Sequence, residues 1–416
     1  MITGTTTSRS YWQAALPEFE PGPTPGPSSR PLPFPERVDV AVIGAGFAGL
    51  SIACDLLESA PGIEVAVLDA HGPGFGASGR NAGGVLPFAV PQWLLPGRVG
   101  PLTGTEAIVV LRGLIADRMR RLAADHPTAE VRPTTMLLMA AHPPVHTGLR
   151  WTVGRMAAAG LESEWWDRDR VAATGTLRRP ALTFPAWTVQ PAALAAALAG
   201  TPGLQMLGNH PVAAVEPTHG GVEIVLRSGA TLNADRAVVA TGAYTSDLRL
   251  PDRIDGAVVH ASMQADPPGV RGTDDLFAAA VGVRPTYWRV HEGRLLFGGA
   301  DRSRPTPEAG RAVQRLRDRY RPGAAGATPD FRWNGPILVR RGELPLLAHS
   351  PACARITYAV GFAGSGVALA TSAGPLVRDL VLGPAAADPV GATLRAALAA
   401  TPTVPTAALR ALRPRR

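Results

Sequence analysis

Apolar and polar positions near the start of the chain follow a strand pattern, then a helix pattern, then a strand pattern again. Residues 38–43 form a short apolar, β-branched run, and apolar residues recur with helical spacing over residues 50–57. A second apolar run occupies residues 65–68. Because these two periods are typical of strands and helices, residues 37–70 are predicted to form a strand, a helix and a second strand.

Similar patterns predict further elements along the chain. Helices are predicted over residues 103–125, 151–161, 191–198 and 311–319. Strands are predicted over residues 131–140, 212–216, 222–226, 231–233, 237–240, 257–265, 286–290 and 294–297. Near the end, a strand that begins at residue 356 leads into a glycine turn, and a helix is expected to run from that turn to about residue 382.

Glycines lie where the first unit needs a tight turn. Gly44, Gly46 and Gly49 follow the first strand directly, and Asp69 ends the second strand, twenty residues after Gly49. Such glycines allow the turn, let a pyrophosphate approach the backbone and let the helix pack closely on the strand. The acidic residue is in the expected place to bind a ribose hydroxyl. The spacing indicates a dinucleotide site, with an ordinary strand-to-helix turn as the alternative.

The order of the elements predicts an α/β fold with a discontinuous, Rossmann-like nucleotide-binding domain. An α+β second domain with a mixed antiparallel sheet is predicted to be inserted into it. The nucleotide-binding domain is assigned to residues 37–85, 186–250 and 335–385, and the inserted domain to residues 86–185 and 251–334. The proline-rich residues 1–36 are predicted to form an extended arm, and residues 386–416 a C-terminal tail.

Composition limits the classes of function. All 41 basic residues are arginine and the net charge is +8, but the arginines are scattered rather than clustered, which argues against a nucleic-acid partner. Cys54 and Cys353 are far apart and have no metal-ligand spacing, so neither a disulfide framework nor a metal site is indicated. No apolar run of membrane-spanning length and no signal segment is present, so we expect a cytoplasmic protein with no membrane association.

Four segments together resemble the D-amino-acid oxidase superfamily of FAD enzymes. They are VIGAGFAGLS with Asp69, GFGASGRNAGG at 74–84, VVATGAYTS at 238–246 and YAVGFAGSGVALA at 358–370. The likeness is greatest to the amine-oxidising branch that includes the γ-glutamylputrescine oxidoreductases and the glycine and sarcosine oxidases. The segments GASGRN, RLLFGGAD at 294–301 and WNG at 333–335 are also of that type.

The resemblance implies that FAD is the cofactor. Serine, arginine and asparagine side chains at 78–81 are suited to hydrogen-bond phosphate and the edge of the flavin ring, and a helix start near residue 364 would stabilise negative charge on reduced flavin. The implied cofactor-binding residues are Gly44, Gly46, Phe47, Ala48, Gly49, Asp69, Ala70, Ser78, Arg80, Asn81, Ala82, Gly83, Val212, Thr241, Gly242, Gly364, Ser365, Gly366 and Val367. Because Cys353 is not in a flavin-attachment motif, noncovalent FAD is expected.

Two pairs of polar residues are candidates for contact with a substrate. Tyr287 and Arg289 alternate on a predicted strand, so they share a face and are suited to hold an anionic substrate group. His260 and Gln264 also share a face, and His260 is a candidate to accept a proton from a substrate ammonium. The alternative for each is a structural polar group.

The resemblance implies oxidation of a carbon–nitrogen bond in a primary or secondary amine, or in an amino acid derivative. Hydride would pass from the α-carbon to flavin N5, and dioxygen would then accept the electrons and give hydrogen peroxide. Leu296 takes the place of a lysine that promotes the oxygen reaction in sarcosine oxidases, and Ile337 that of a carboxylate-binding arginine. An FAD dehydrogenase of a hydroxy acid, or a catalytically silent flavoprotein subunit, remains an alternative. The particular amine and the oligomeric state stay open.

Overall fold

The computed structural model describes residues 9–16, 34–86, 105–270, 275–282, 285–302, 305–340 and 345–383. The strands are β1 Arg37–Ile43, β2 Val65–Leu68, β3 Gly84–Val85, β4 Arg132–Ala140, β5 Glu164–Trp166, β6 Ala181–Thr188, β7 Gln205–Leu207, β8 Val212–Pro217, β9 Val222–Leu226, β10 Thr231–Val239, β11 Ala257–Ala265, β12 Leu276–Val281, β13 Thr286–His291, β14 Arg294–Arg302, β15 Phe331–Val339, β16 Leu346–His349 and β17 Ile356–Val360. The α-helices are Tyr11–Ala14, Phe47–Ser59, Thr105–Asp125, Pro143–Ala158, Arg168–Ala173, Pro191–Ala199, Pro307–Tyr320, Gly366–Thr371 and Gly374–Leu382.

The first sheet is parallel at its centre. Its strands are ordered β16-β17-β10-β1-β2-β7, and β8 and β9 extend it beside β10. Val40 and Val42 of β1 pack into the core under helix Phe47–Ser59, while Val38 and Ile43 pack into a second core on the other face. Because both faces are covered, the central strands are apolar throughout, as expected of a parallel sheet.

The second sheet is mainly antiparallel and is ordered β15-β11-β14-β13-β12-β4-β6-β3, with β5 beside β6. Trp288 and Phe297 on one face pack together with Val313 of helix Pro307–Tyr320. Met263 and Leu296 belong to the other face and pack in one cluster with Trp12 near the N-terminus. The second face is therefore the one turned toward the glycine-rich loops of the first sheet.

The predicted strand, helix and strand at residues 37–70 are present, but several boundaries differ. The predicted helix at 151–161 is instead Pro143–Ala158, with prolines in its first turn. The two strands predicted at 231–233 and 237–240 are one strand, β10. The polar pair Asp235 and Arg236 between them is half-buried and extended, so the strand continues through it. Sequence reasoning missed seven strands, namely β3, β5, β6, β7, β12, β15 and β16.

The two sheets divide the chain somewhat differently from the predicted domain boundaries. Gly84–Val85, the end of Ala181–Thr188 and residues 335–339 were assigned to the nucleotide-binding domain, but they lie in the second sheet. The predicted tail, 386–416, lies outside the described residues.

The prediction of an extended arm over residues 1–36 is wrong for one part. Residues 11–14 form a turn of helix with a capping box at Ser10, and Trp12 is fully buried. The prolines that led to the prediction begin only at Pro21, which lies outside the described residues. Two aromatic side chains that can be buried outweigh the low helix propensity of so short a segment.

No helix within the described ranges is long and apolar enough to cross a membrane. Among the same residues, no group of three or more histidine, cysteine or acidic side chains is arranged to hold a metal ion.

Candidate active site

The first glycine turn is sterically restricted to glycine. Gly44 has φ +107°, and a Cβ added to it would lie 2.7 Å from the carbonyl oxygen of Ala240. A Cβ on Gly49 would lie 1.9 Å from the carbonyl oxygen of Gly44, so the helix that starts at Phe47 packs directly on the turn. This close approach leaves the positive end of the helix accessible at the edge of the sheet.

Asp69 is anchored to the same turn. Its Oδ2 accepts a hydrogen bond from the Ala45 N–H and its Oδ1 accepts one from the His71 N–H, both at 2.8 Å. Burial raises the pKa of the Asp69 carboxyl, while the two N–H donors oppose that shift. Ala70 follows on the surface. The carboxylate is therefore fixed beside the turn, where a ribose hydroxyl can reach its remaining lone pairs.

The second glycine-rich loop folds against the start of the helix. It contains a 3-10 turn, Ala77–Gly79, and the Ser78 Oγ accepts a hydrogen bond from the Phe47 N–H at 2.9 Å. A Cβ on Gly46 would lie only 3.0 Å from that hydroxyl, and Gly74 N–H donates to Ala45 O at 2.8 Å. Ser78 thus lies at the helix N-terminus, where a phosphate is stabilised.

Arg80 and Asn81 shape this loop. The buried Arg80 donates from Nε to Phe75 O at 2.8 Å, and burial lowers the pKa of its guanidinium. The Asn81 side chain donates to Ser78 O and accepts from Gly83 N–H, both at 2.7 Å. Its amide is therefore hydrogen-bonded within the loop, and contact of Asn81 with the flavin edge stays a prediction.

The third loop follows β10. Ala240 N–H donates to Ile43 O at 2.8 Å, which holds the end of β10 beside the first glycine turn. The Thr241 hydroxyl lies 3.0 Å from that of Thr245, and nothing lies within 4 Å of a Cβ built on Gly242. Open space therefore borders this turn at Gly242.

Residues 361–367 form the predicted late turn, but the helix beyond it is broken. Gly361 has φ +83° and Ala363 φ +48°, and nothing lies within 4 Å of a Cβ built on Gly364. Two helices, Gly366–Thr371 and Gly374–Leu382, replace the single predicted helix. A Cβ on Gly374, the first residue of the second of these helices, would overlap the Asp55 carboxylate, so that helix packs closely on helix Phe47–Ser59. Ser365 and Val367 are buried at the start of the first helix.

Val212, another predicted cofactor residue, lies in β8 and pairs with Leu226 of β9. Its side chain is buried in the core on the outer face of the first sheet. Only its backbone is available for a nucleotide.

Arg289 extends from β13 to the second glycine-rich loop. Its Nη1 donates to Val189 O at 3.1 Å, and a Cβ on Gly83 would lie 2.8 Å from the same nitrogen. The guanidinium also lies over the ring of Trp12, 5.4 Å from its centroid. The structure therefore brings the predicted cation to the Gly83 end of the cofactor loop.

Tyr287 lies on the same face of β13, two residues before Arg289. A Cβ on Gly298 of the neighbouring strand would lie 2.5 Å from Tyr287 Cε2 and 2.0 Å from Met263 Sδ, so these side chains meet over a glycine. Leu296 shares their cluster and is fully buried. The phenol and the guanidinium thus lie beside an apolar cluster on this face.

The structure does not bring His260 to this pair. His260 and Gln264 do share a face of β11, but Met263, which packs with Tyr287, is on the opposite face. Gln264 donates to Asp266, which is paired with Arg317 of helix Pro307–Tyr320 behind the sheet. Burial lowers the pKa of His260, and a hydrogen bond with the Asn334 side chain opposes that shift. His260 therefore lies on the other face of the second sheet from Tyr287 and Arg289, and its role as a proton acceptor stays a prediction.

Sequence reasoning missed His291, Tyr11 and Trp12. His291 continues the alternation of Tyr287 and Arg289, so one more step along the strand would have found it. It is buried, and burial together with the charge of Arg289 lowers its pKa. The Tyr11 hydroxyl lies 3.0 Å from His291 Nδ1. The only signal for Tyr11 and Trp12 was an aromatic pair in an otherwise polar segment.

Comparisons with known proteins identify the family of this chain. The family model described as FAD dependent oxidoreductase (DAO) matches residues 39–380. The chain belongs to this family of FAD-dependent oxidoreductases. The probable oxidoreductase OrdL of Rhizobium meliloti is 26% identical over 409 residues, which cover 90% of this chain and 88% of that protein.

Two further proteins are similar to this oxidoreductase over most of their length. The γ-glutamylputrescine oxidoreductase of Escherichia coli K12 is 24% identical over 410 residues, which cover 90% of this chain and 89% of that protein. A crystal structure of glycine oxidase from Geobacillus kaustophilus is similar with a TM-score of 0.72 and 22% identity, covering 85% of this chain and 96% of that one. The α/β fold and the FAD cofactor of this oxidoreductase are therefore confirmed.

The glycine turns of this oxidoreductase fit FAD. Open space borders Gly242 and Gly364, and the helix start at Phe47 with the Ser78 hydroxyl offers hydrogen-bonding groups for phosphate. Asp69 supplies a carboxylate near that phosphate site, and the predicted contacts of the individual residues with FAD stay predictions.

Proposed function

We propose that this oxidoreductase oxidises the carbon–nitrogen bond of a primary or secondary amine. One observation carries the proposal: the Tyr287 and Arg289 face of the second sheet meets the cofactor loop at Gly83. A small molecule held against this face is thereby brought beside the cofactor. The names of two similar proteins, a γ-glutamylputrescine oxidoreductase and a glycine oxidase, favour amines or amino acids over other substrates.

FAD is proposed to be held noncovalently. Residues 44–49, Asp69 and Ser78 would hold the nucleotide half, and residues 241–242 and 364–367 would border the flavin half. When bound, FAD would supply a two-electron acceptor for a hydride from the carbon next to the substrate nitrogen. The protein contributes binding, orientation and electrostatic control of that step.

The Arg289 charge favours a deprotonated amine. Burial, helped by this guanidinium, lowers the pKa of His291 on the same face of β13. The same field disfavours a second positive charge nearby, so a substrate ammonium bound against this face would release its proton more readily. An amine can give up a hydride only when its nitrogen has a free lone pair, and Arg289 therefore assists by charge rather than by accepting the proton.

Apolar packing restricts water on the substrate side. Met263 and Trp333 are buried in the same cluster as Leu296. Exclusion of water strengthens the interactions of Tyr287 and Arg289 with a bound ligand. We propose dioxygen as the electron acceptor, with hydrogen peroxide as the product. Leu296 offers no charge to assist this second reaction, and we therefore expect it to be slow.

An anaerobic half-reaction screen tests the proposal. The holoenzyme is mixed with primary amines, secondary amines, amino acids and hydroxy acids, and loss of the flavin's visible absorbance is followed for each class. Bleaching by amines, with the imine or its hydrolysis product detected by mass spectrometry, is the expected result. Bleaching only by hydroxy acids would replace the amine proposal with a hydroxy-acid dehydrogenase. A yellow protein that no class bleaches would indicate a silent flavoprotein subunit.

A further inference from the structure

The turn of helix at Tyr11–Ala14 is too short to be stable alone. Ser10 Oγ accepts from Gln13 N–H at 3.2 Å, and Ser10 N–H donates to Gln13 Oε1 at 3.1 Å, which forms a capping box. An isolated single turn of helix is strongly unfavourable in water, even when it is capped. The turn therefore depends on its contacts with the rest of the protein, and those contacts show what it can do.

Three side chains of residues 10–13, which we call the N-terminal turn, donate to backbone carbonyls of the second glycine-rich loop. These bonds are Ser10 Oγ to Gly79 O (2.6 Å), Gln13 Nε2 to Gly74 O (3.1 Å), and Trp12 Nε1 to Asn81 O (2.7 Å). A loop with so many glycines has many backbone conformations open to it. Gln13 Nε2 also donates to Phe75 O at 3.3 Å. Hydrogen bonds to four of its carbonyls therefore favour one conformation of the loop.

The loop conformation selected in this way matters for the cofactor. Within it, Ser78 reaches the Phe47 N–H at the helix start. A Cβ on Gly79 would lie 2.2 Å from Gly74 O and 3.1 Å from Gln13 Nε2, so the loop has little room to shift while the N-terminal turn is bound.

The opposite side of the N-terminal turn contacts the substrate sheet. Trp12 packs edge-on against His291, with ring centroids 4.9 Å apart, and lies beneath the Arg289 guanidinium. The Tyr11 hydroxyl donates to Glu292 at 3.0 Å. The N-terminal turn thus lies between the cofactor loop and the end of β13. Substitutions can therefore remove its contacts with the loop and keep its contacts with β13, or the reverse.

We propose that the N-terminal turn is a positioning element of the FAD site, which fixes the 74–83 loop in the conformation that binds the nucleotide. Ser10, Trp12 and Gln13 act through the loop and are positioning residues. This inference depends on FAD binding and is independent of which substrate is oxidised.

The test measures the Kd for FAD by diluting the holoenzyme and following the fluorescence of released flavin. Ser10→Ala loses one loop contact and should raise the Kd about fivefold, from the net value of one hydrogen bond. Gln13→Ala loses its contacts with Gly74 O and Phe75 O, and should raise the Kd by at least about fivefold. Trp12→Phe keeps an aromatic ring but loses the Nε1 donor, and a similar rise is expected. Trp12→Ala loses both and should raise the Kd by at least about tenfold.

Tyr11→Phe is the matched control, because its hydroxyl contacts the end of β13 and not the loop. Its Kd for FAD should equal that of the wild type. The thermal midpoint of each holoenzyme at saturating FAD is measured in parallel, since a purely structural turn would lower this midpoint and leave the Kd unchanged.

Two results would overturn the proposal. One is a Kd within about twofold of wild type for both Ser10→Ala and Gln13→Ala, which is less than one lost hydrogen bond predicts. The other is a rise in Kd for Tyr11→Phe as large as that for Ser10→Ala. If Trp12→Ala does not fold, the Ser10, Gln13 and Trp12→Phe variants still decide.

Discussion

The two sheets hold their parts of the site in different ways. Beside the parallel sheet the candidate site is mainly backbone, at turns where Gly44 and Gly49 leave no room for a side chain. Asp69 and Ser78 add two side chains to it. In the antiparallel sheet it is made of side chains on alternate positions, with Tyr287 and Arg289 on one face of a strand. We therefore expect a side chain added at a glycine turn to weaken FAD binding. We expect removal of a polar side chain from β13 to slow the reaction with substrate.

The largest effect is expected from a side chain at Gly49. Gly49→Val would place its Cβ 1.9 Å from a backbone oxygen, so the helix cannot pack on the turn. We expect the purified variant to contain no FAD, measured as the ratio of visible to ultraviolet absorbance. Gly310→Ala, in helix Pro307–Tyr320 where an added Cβ meets nothing within 4 Å, is the control and should keep its FAD. Normal FAD content in Gly49→Val would contradict the backbone half of the comparison.

A buried ion pair behind the antiparallel sheet should affect stability more than cofactor binding. Asp266 and Arg317 are both fully buried, and Arg317 Nη1 lies 2.7 Å from Asp266 Oδ1. Asp266→Ala leaves the guanidinium buried without this partner, and should lower the free energy of unfolding by about 3–5 kcal/mol. Urea denaturation measures the change, and Asp117→Ala, in an exposed pair with Arg120, should have little effect. Equal losses in the two variants would show that burial does not decide the effect.

Removing the Arg289 charge should slow reduction by substrate. Arg289→Gln loses charge-assisted contacts to a ligand, worth about 1.5–3 kcal/mol, and the half-reaction should slow by about 10–100-fold. The pH at which the reaction reaches half its maximal rate should also rise, because the substrate ammonium then keeps its proton longer. Stopped-flow absorbance measures both. Arg315→Gln, on the exposed side of helix Pro307–Tyr320, should change neither, and an unshifted pH profile in Arg289→Gln would refute the charge argument.

A smaller effect is expected at Ser78, whose hydroxyl accepts from Phe47 N–H at 2.9 Å. Ser78→Ala should weaken FAD binding by about 1 kcal/mol, or roughly fivefold in Kd. Dilution of the holoenzyme measures it, with Ser228→Ala in an exposed turn as the control. Tighter binding in Ser78→Ala would show that the serine competes with phosphate for the helix start.

The smallest effect concerns pH. Because the pKa of His291 is lowered on folding, chiefly by burial, the unfolded chain binds a proton more readily than the native state. Stability is therefore highest above about pH 6.5 and falls as the pH decreases, with a slope of at most about 1.4 kcal/mol per pH unit for one group. In His291→Gln this slope should be shallower in urea titrations from pH 5 to 7. His219→Gln, on an exposed turn, should keep the wild-type slope.

The start of the parallel sheet could be predicted well because its signals lie close together in the sequence. A run of buried β-branched residues, three spaced glycines and a terminal acid were enough for β1, the helix after it and β2. Prolines concealed two strands of the other sheet. Pro336 lies in β15, which is an edge strand, and Pro185 lies in β6 between the stretches that pair with β3 and β5. A strand accepts proline at such places, where the missing N–H has no partner to bond.

The candidate site was only partly predictable for a related reason. Alternation correctly placed Tyr287 with Arg289, and His260 with Gln264, on common faces. Alternation shows which residues share a face of the strand, but it does not show which of the two faces lies against the cofactor. Trp12 was out of reach, since a contact with the loop at Asn81 depends on how distant segments meet and leaves no local pattern.

The strand order of the parallel sheet has a consequence for biosynthesis. β1 pairs with β10, and β10 in turn pairs with β17, so neighbours in space are separated by most of the polypeptide. During translation, β1 emerges early and must wait for residues 356–360 before the sheet can close. Such distant pairings make folding slow and leave strand edges exposed meanwhile. We therefore expect FAD to bind only after most of the chain has been synthesised. Until then the nascent chain exposes its strand edges without the stabilisation that FAD gives.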